Sequence, residues 1–336
     1  MAATRPSTSS RVAPRVSQYP VIPHTHYTLP QALGRREVSG ALHYNQRSVM
    51  PAEPPPAPTP NVDDATVHGF GDEWSRFDQT VLSEAEYREL FAQYFGIFPW
   101  HCLPPGAVGM DVGCGSGRWA RGVSPRVGRL HLVDASPEAL AVARRALATC
   151  ATCEFHLASA GRLPFETASL DFGYSLGVLH HVPDAAAALR ECARCLKPGA
   201  PFLVYLYYAF DNRPAWFRGI WRTSDIVRRT VSRLPMPVRY AASQVLAATV
   251  YWPLAAASRT GSRVGLDTSN WPLHYYADRS FYTMRTDALD RFGTRLEQRF
   301  TRAQIAALMA AAGFEDVRFS DGVPYWCAVG RKRTLT

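Results

Sequence analysis

The sequence predicts an α/β fold built on a doubly wound, mostly parallel sheet with a helical insertion after the fifth strand. Three observations carry that prediction. Residues 108–117 run as an apolar strand into a turn with glycine at 113, 115 and 117, and the next strand, Leu130–Asp134, ends in an acid about one β-α-β unit later. Short apolar or β-rich runs then alternate with alanine- and arginine-rich stretches as far as Tyr207. Glycines so spaced let a main chain turn tightly after a buried strand and approach a ligand without Cβ interference. The alternation calls for crossover helices on both faces of a parallel sheet.

In chain order, residues 1–68 are rich in Pro, Ser and Thr, include Pro54-Pro55-Pro56 and show no sustained apolar period, so they read as a disordered tail. Their arginines faintly resemble an organellar transit peptide, but no apolar run of signal-peptide type follows. A core over 69–210 opens with Phe70-Gly-Asp-Glu-Trp-Ser-Arg-Phe77 and an amphipathic stretch from Glu84 to Phe95. There Trp74 and Arg76 are candidates for a lid over a ligand and equally for a staple against the sheet. Strands are expected at Val108–Val112, Leu130–Asp134, Glu154–Ala158, Leu170–Ser175 and Pro201–Tyr207. Ser136 caps a helix opened by Pro137-Glu138, and Asp184 caps another after Pro183. Residues 211–280 interrupt the fold, and 281–336 complete it with a helix from Thr301 to Ala312, ended by Gly313, and strands around Val317 and from Trp326 to Gly330.

Position 118, where a dinucleotide fingerprint has its third glycine, is Arg118, which disfavours a diphosphate lying across the helix start. Asp111-Val-Gly-Cys-Gly-Ser-Gly117, Val133-Asp134-Ala135-Ser136, Arg162-Leu-Pro-Phe165, Asp171 through His180, His181 and Asp184, and Leu196-Lys-Pro-Gly199 follow in order. Together they resemble the class I S-adenosylmethionine-dependent methyltransferases, in the branch that includes the ubiquinone and menaquinone C-methyltransferases. The resemblance implies a Rossmann-like seven-stranded sheet, S-adenosyl-L-methionine as cofactor, and methyl transfer to a small-molecule acceptor. It puts Asp111 near the methionine ammonium, Gly113, Cys114, Gly115 and Gly117 in the cofactor turn, Asp134 and Ala135 at the ribose, Ser159 and Ala160 at the adenine, and Leu176 at the end of strand four. One departure stands out. The family carries an acid just after strand three, whereas this chain reads Ala158-Ser159-Ala160-Gly161, and a neutral hydroxyl is a weaker partner than a carboxylate.

A sulfonium methyl is already a strong electrophile, so the protein has mainly to align a nucleophile and exclude water. A base is needed only where that nucleophile carries a proton. His180 and His181, at the carboxyl end of strand four, are the candidates for deprotonating an oxygen or activated carbon. The alternative is that one packs against the cofactor and the other fills the loop. Tyr205, Tyr207, Tyr208 and Phe210 form either an aromatic wall over the acceptor or ordinary core packing.

The net charge of +9 is unevenly spread: residues 1–62 carry +4, residues 213–239 carry +6, and the remainder sums to −1. A core without a basic surface makes nucleic acid an unfavoured partner. Arg213 to Arg239 interleaves arginine with Trp216, Phe217, Trp221 and Ile226, and Tyr240 to Ala257 is almost wholly apolar. Residues 213–257 therefore read as a helical cap whose apolar face closes the acceptor pocket while arginines face water, or as a contact with a lipid surface. Cys150-x-x-Cys153 and Cys192-x-x-Cys195 sit on helices expected on opposite sheet faces, so no metal site is expected from them. The odd count of seven cysteines fits a cytoplasmic protein. A non-catalytic cofactor-binding partner and a membrane-peripheral or RNA-directed enzyme stay open beside the small-molecule enzyme.

Overall fold

The structure, a computed structural model, describes residues 61–334; the expected tail up to residue 60 lies outside them. Its last part is corrected. Helix α1 spans Asp64–Arg76, so residues 64–68 are helical, because Asp63 accepts the Thr66 N–H and Asp64 lies at the positive helix start. Then come α2 (Glu84–Phe95), β1 (Val108–Val112), α3 (Ala120–Val123), β2 (Arg129–Asp134), α4 (Pro137–Ala146), β3 (Cys153–Leu157), β4 (Phe172–Leu176), α5 (Ala185–Cys195) and β5 (Pro201–Tyr205). After these follow α6 (Ala215–Val231), α7 (Met236–Leu246), α8 (Trp252–Arg263), α9 (Phe281–Gly293), α10 (Arg302–Ala311), β6 (Phe314–Phe319) and β7 (Cys327–Lys332). The expected caps form: Ser136 accepts the Ala139 N–H and Asp184 the Ala187 N–H.

The seven strands make one sheet in the order β3-β2-β1-β4-β5-β7-β6, parallel throughout except for β7, which runs antiparallel to β5 and β6. The order reverses between β1 and β4, where the strand ends open a crevice. Strand residues alternate between two cores. Met110, Val112, Phe202 and Val204 pack with Leu189 and Cys192 of α5 and Ile305 and Met309 of α10. Leu130, Leu132, Tyr174 and Leu203 pack on the other face with Leu90 and Phe95 of α2 and Leu140 of α4. Cys150 and Cys153 border the second core while Cys192 and Cys195 are buried in the first, so the two cysteine pairs lie on opposite sides of the sheet.

The insertion has a core of its own, formed by Val231, Ala247, Tyr251, Ala255, Met284, Ala288 and Phe292. Since α9 supplies the last three, the inserted helical unit reaches Gly293, past the expected boundary at 280. Residues 247–251 form a π-helical turn between α7 and α8, just ahead of Pro253, whose ring and missing N–H are incompatible with regular α-helical bonding there. Not every arginine of the insertion faces water. Arg228 is buried, its Nε 2.6 Å from Asp225 Oδ1 and its Nη1 donating to the Thr294 and Arg295 carbonyls.

Candidate active site

Two adjoining cavities meet at the reversal point of the sheet. The smaller, of about 900 Å³ with its mouth included, is lined by Gly113, Cys114, Gly115, Asp134, Ala135, Ser159, Ala160, Leu176 and His181 among the expected residues. The larger, of about 1880 Å³ with its mouth included, is walled by Tyr205, Tyr207, Tyr208 and Phe210. Phe70, Trp74, Arg118, Trp119, Leu176 and Gly177 border both.

The glycine turn sets the floor of the smaller cavity. Gly115 has φ +53°, and a Cβ there would lie 2.8 Å from the Trp74 ring, so α1 can close on the loop only over a glycine. Gly117 has a different reason to be glycine: its φ is +77° and its Cβ would strike Leu147 and Ala143 of the helix beneath. It does not line the cavity. Nor does Asp111, whose carboxyl is buried under the loop beside Tyr174 with Oδ2 unpartnered, and burial pushes it up to about 8. Asp134 reaches the wall. Its Oδ2 accepts the Gly115 N–H and its Oδ1 the Ser136 N–H, each at 2.9 Å, which orients the carboxyl while burial raises its pKa.

Helix α1 covers the smaller cavity with Thr66, Val67, Phe70 and Trp74. Asn61, just ahead of it, exchanges two hydrogen bonds with the main chain of Asp184, at 2.6 and 2.8 Å, tying the start of α1 to the loop after β4. Trp74 lies at the seam of the two cavities, whereas Arg76 stacks over Tyr240, 4.8 Å away, and lines neither. Among the described residues Arg118 is the only arginine or lysine lining the smaller cavity; it stacks on Trp119, donates to Gln79 and leaves its Nε unpartnered. A glycine turn that lets the main chain approach closely, a carboxylate at a strand end and one incompletely paired guanidinium suit a nucleoside bearing an amino-acid tail. S-adenosylmethionine therefore fits these residues, with Ser159 in place of an acid.

The two histidines separate. His180 is fully buried, stacks on Tyr207 at 3.9 Å, has no partner on either ring nitrogen and lines neither cavity. His181 Nδ1 donates to the Leu296 carbonyl at 2.7 Å, which leaves the Nε2 lone pair facing Asp290 Oδ1 at 3.7 Å. Tyr207 donates its hydroxyl to Oδ2 of the same aspartate. Burial lowers the pKa of His181 and raises that of Asp290. Nε2 and Oδ1 are too far apart for a hydrogen bond and neither has another partner, so the imidazole at the smaller cavity stands beside, and unbonded to, the Asp290–Tyr207 pair at the larger.

Sequence reasoning missed three acids of the larger cavity, Glu73, Asp287 and Asp290. Burial holds Glu73 well above the usual carboxylate range and pushes Asp287 up to about 6. Glu73 lies within the Phe70–Phe77 stretch, whereas Asp287 and Asp290 sit on α9 with no motif around them. Arg291 and Arg299, also at this wall, are paired with the buried Glu297 at 2.6 and 2.7 Å. At the mouth, Ile220, Val250, Leu254 and Trp271 are both cavity-lining and exposed.

Residues 110–204 match the methyltransferase-domain family. An uncharacterized 37.1 kDa protein in a transposon of Streptomyces fradiae is 39% identical over 99 residues, 28% of either chain. A ubiquinone biosynthesis O-methyltransferase of Xanthomonas oryzae pv. oryzae is 36% identical over 96 residues, 28% of this chain and 40% of that one. The chain spans less than half the length of these relatives. Among solved structures, human N-acetylserotonin methyltransferase in complex with its cofactor aligns at 18% identity and a TM-score of 0.46, over 79% of this chain and 57% of that one.

Proposed function

We propose that the protein, whose residues 110–204 match the methyltransferase-domain family and lie in a Rossmann-like seven-stranded sheet, transfers the methyl group of S-adenosylmethionine to an oxygen or activated carbon of a largely apolar small molecule held in the larger cavity. The observation that carries this reading is the convergence of the unpartnered His181 Nε2 and the Tyr207-bonded Asp290 carboxyl at the junction of the two cavities. Bound S-adenosylmethionine supplies a sulfonium methyl, whose bond to sulfur breaks as the acceptor's lone pair forms the new bond. Asp134 would hold the ribose, the backbone of the 113–115 turn would lie against the cofactor, and Arg118 would pair with its carboxylate. Trp74 and α1 exclude water, which strengthens the electrostatic contacts inside.

His181 is the base and His180 is not. With Nδ1–H committed to the Leu296 carbonyl, Nε2 is free to take the acceptor's proton, and Asp290 stabilises the imidazolium that forms. Tyr207 keeps Asp290 in place. The aromatic walls and the apolar mouth accommodate a hydrophobic acceptor. Isothermal titration of the full chain with S-adenosylmethionine and S-adenosylhomocysteine is expected to give one site, and absence of binding to either refutes the reading. If binding holds while labelled methyl reaches no metabolite or lipid of an extract, a non-catalytic cofactor-binding role replaces it.

One observation favours delivery from a lipid surface. Trp216, Ile220 and Val227 form an exposed stripe on α6, and Val250, Trp252 and Leu254 are exposed beside the mouth. Among the described residues no helix is long and apolar enough to cross a membrane. Co-sedimentation with anionic vesicles that is lost in Trp216→Ser/Ile220→Ser supports this arrangement; no co-sedimentation of the unaltered chain refutes it.

A further inference from the structure

We propose that His131, Glu154 and His156 form a binding site for one zinc-class divalent cation at the edge of the sheet. β3 is the edge strand and pairs only with β2. Glu154 and His156 are two residues apart on β3 and therefore share a face, and Glu154 lies directly opposite His131 in the register. The side chains converge. His131 Nδ1 is 3.0 Å from His156 Nε2 and 3.3 Å from Glu154 Oε2, and the three donor atoms lie within 4.8 Å of one another. Zinc–nitrogen bonds of 2.0–2.1 Å place tetrahedral donors about 3.3 Å apart, so the cation needs only small side-chain shifts.

The chemistry of the set agrees with the spacing. Two imidazoles and one carboxylate are a ligand combination of zinc sites that keep a fourth position for water. Arg129 Nε binds the other carboxylate oxygen, Oε1, at 3.1 Å, so it orients Glu154 while leaving Oε2 directed at His131. Phe165 packs against both rings, at 4.9 and 5.2 Å, and limits their rotation. The three residues line neither cavity.

The position gives the ion a consequence for the rest of the fold. His131 is three residues before Asp134, and His156 is three before Ser159, so a cation here fastens together the two strands whose ends form one wall of the smaller cavity. The inference does not depend on methyl transfer. It is tested on the untagged full chain by titration with Zn2+ and by the visible spectrum with Co2+. One equivalent is expected to bind, with tetrahedral Co2+ bands. His156→Ala, at a half-buried position, and Glu154→Gln, at an exposed one, are each expected to weaken binding more than about 100-fold, and Arg129→Met about tenfold. Unchanged circular dichroism establishes that the variants fold. Absence of tight binding overturns the proposal. So does binding that survives both substitutions, which assigns the ion to thiols such as Cys150 and Cys153.

Discussion

Gly115→Ala tests whether α1 is a lid seated on the cofactor turn. The added Cβ would lie 2.8 Å from Trp74 Cε2 and 2.9 Å from its Nε1, where carbon contacts are ordinarily about 3.5–4.0 Å. The indole must therefore retreat by roughly 0.7–1 Å, which forfeits a quarter to a half of its dispersion contacts on that side. A fully buried aromatic ring contributes about 150–250 Å² at about 25 cal/mol per Å², and Trp74 is partly exposed, so its packing is worth about 2–3 kcal/mol. Losing that fraction weakens S-adenosylhomocysteine about threefold to tenfold by isothermal titration. Separately, an L-residue at φ +53° costs about 1–2 kcal/mol, which lowers the melting temperature with or without ligand. The double variant separates the two. In a Trp74→Ala background the collision is gone, so Gly115→Ala is expected to cost at least about 0.5 kcal/mol less in binding. Additivity within about 0.3 kcal/mol, or unchanged affinity in the single variant, would refute a lid that rests on the glycine turn.

Other expectations follow from the buried charges. Asp290→Asn removes the charge that raises the His181 pKa against burial, so the acid limb of kcat/KM moves to lower pH while the rate falls about 10²- to 10⁴-fold; a limb that stays put or moves up contradicts His181 as the base. Asp111 has a folded pKa of about 8 against an ordinary 3.8, so the native state holds the extra proton and stability falls as pH rises between those values, by up to about 1.4 kcal/mol per unit. Differential scanning fluorimetry of Asp111→Asn across that window is expected to give a flatter profile than the unaltered chain, and parallel profiles would show that Asp111 does not titrate there. Arg228→Ala leaves the buried Asp225 without its closest cation and the Thr294 carbonyl without a donor; a loss of about 3–5 kcal/mol is expected in urea unfolding, with vesicle binding per folded molecule unchanged. A loss below about 1 kcal/mol would mean that this arginine is no buried anchor of the insertion.

Much of the sheet and one cavity could be read from local patterns. β1 has the expected bounds, β2 starts one residue earlier, and β3 and β4 are shifted by one or two residues, because apolar runs bounded by turn residues are strong signals and their ends are weak ones. β5 stops at Tyr205, two residues short of the expected end, and Tyr207 instead turns toward Asp290. The cofactor turn was legible since a glycine at positive φ is a local requirement. Asp111 was also visible, but whether its side chain points into the cavity or beneath it depends on strand parity and on Tyr174 from a neighbouring strand.

By itself, the sequence determined the alternation of strands and helices, the glycine turn, the caps at Ser136 and Asp184, and the acid at Asp134, all consequences of residues close together in the chain. Tertiary structure alone decided which histidine meets Asp290, that Glu73, Asp287 and Asp290 share one wall, and that the insertion extends through α9. It also brought His131 beside Glu154 and His156. These pairings join residues tens to more than two hundred positions apart, and burial and charge act through space between side chains that no local period connects.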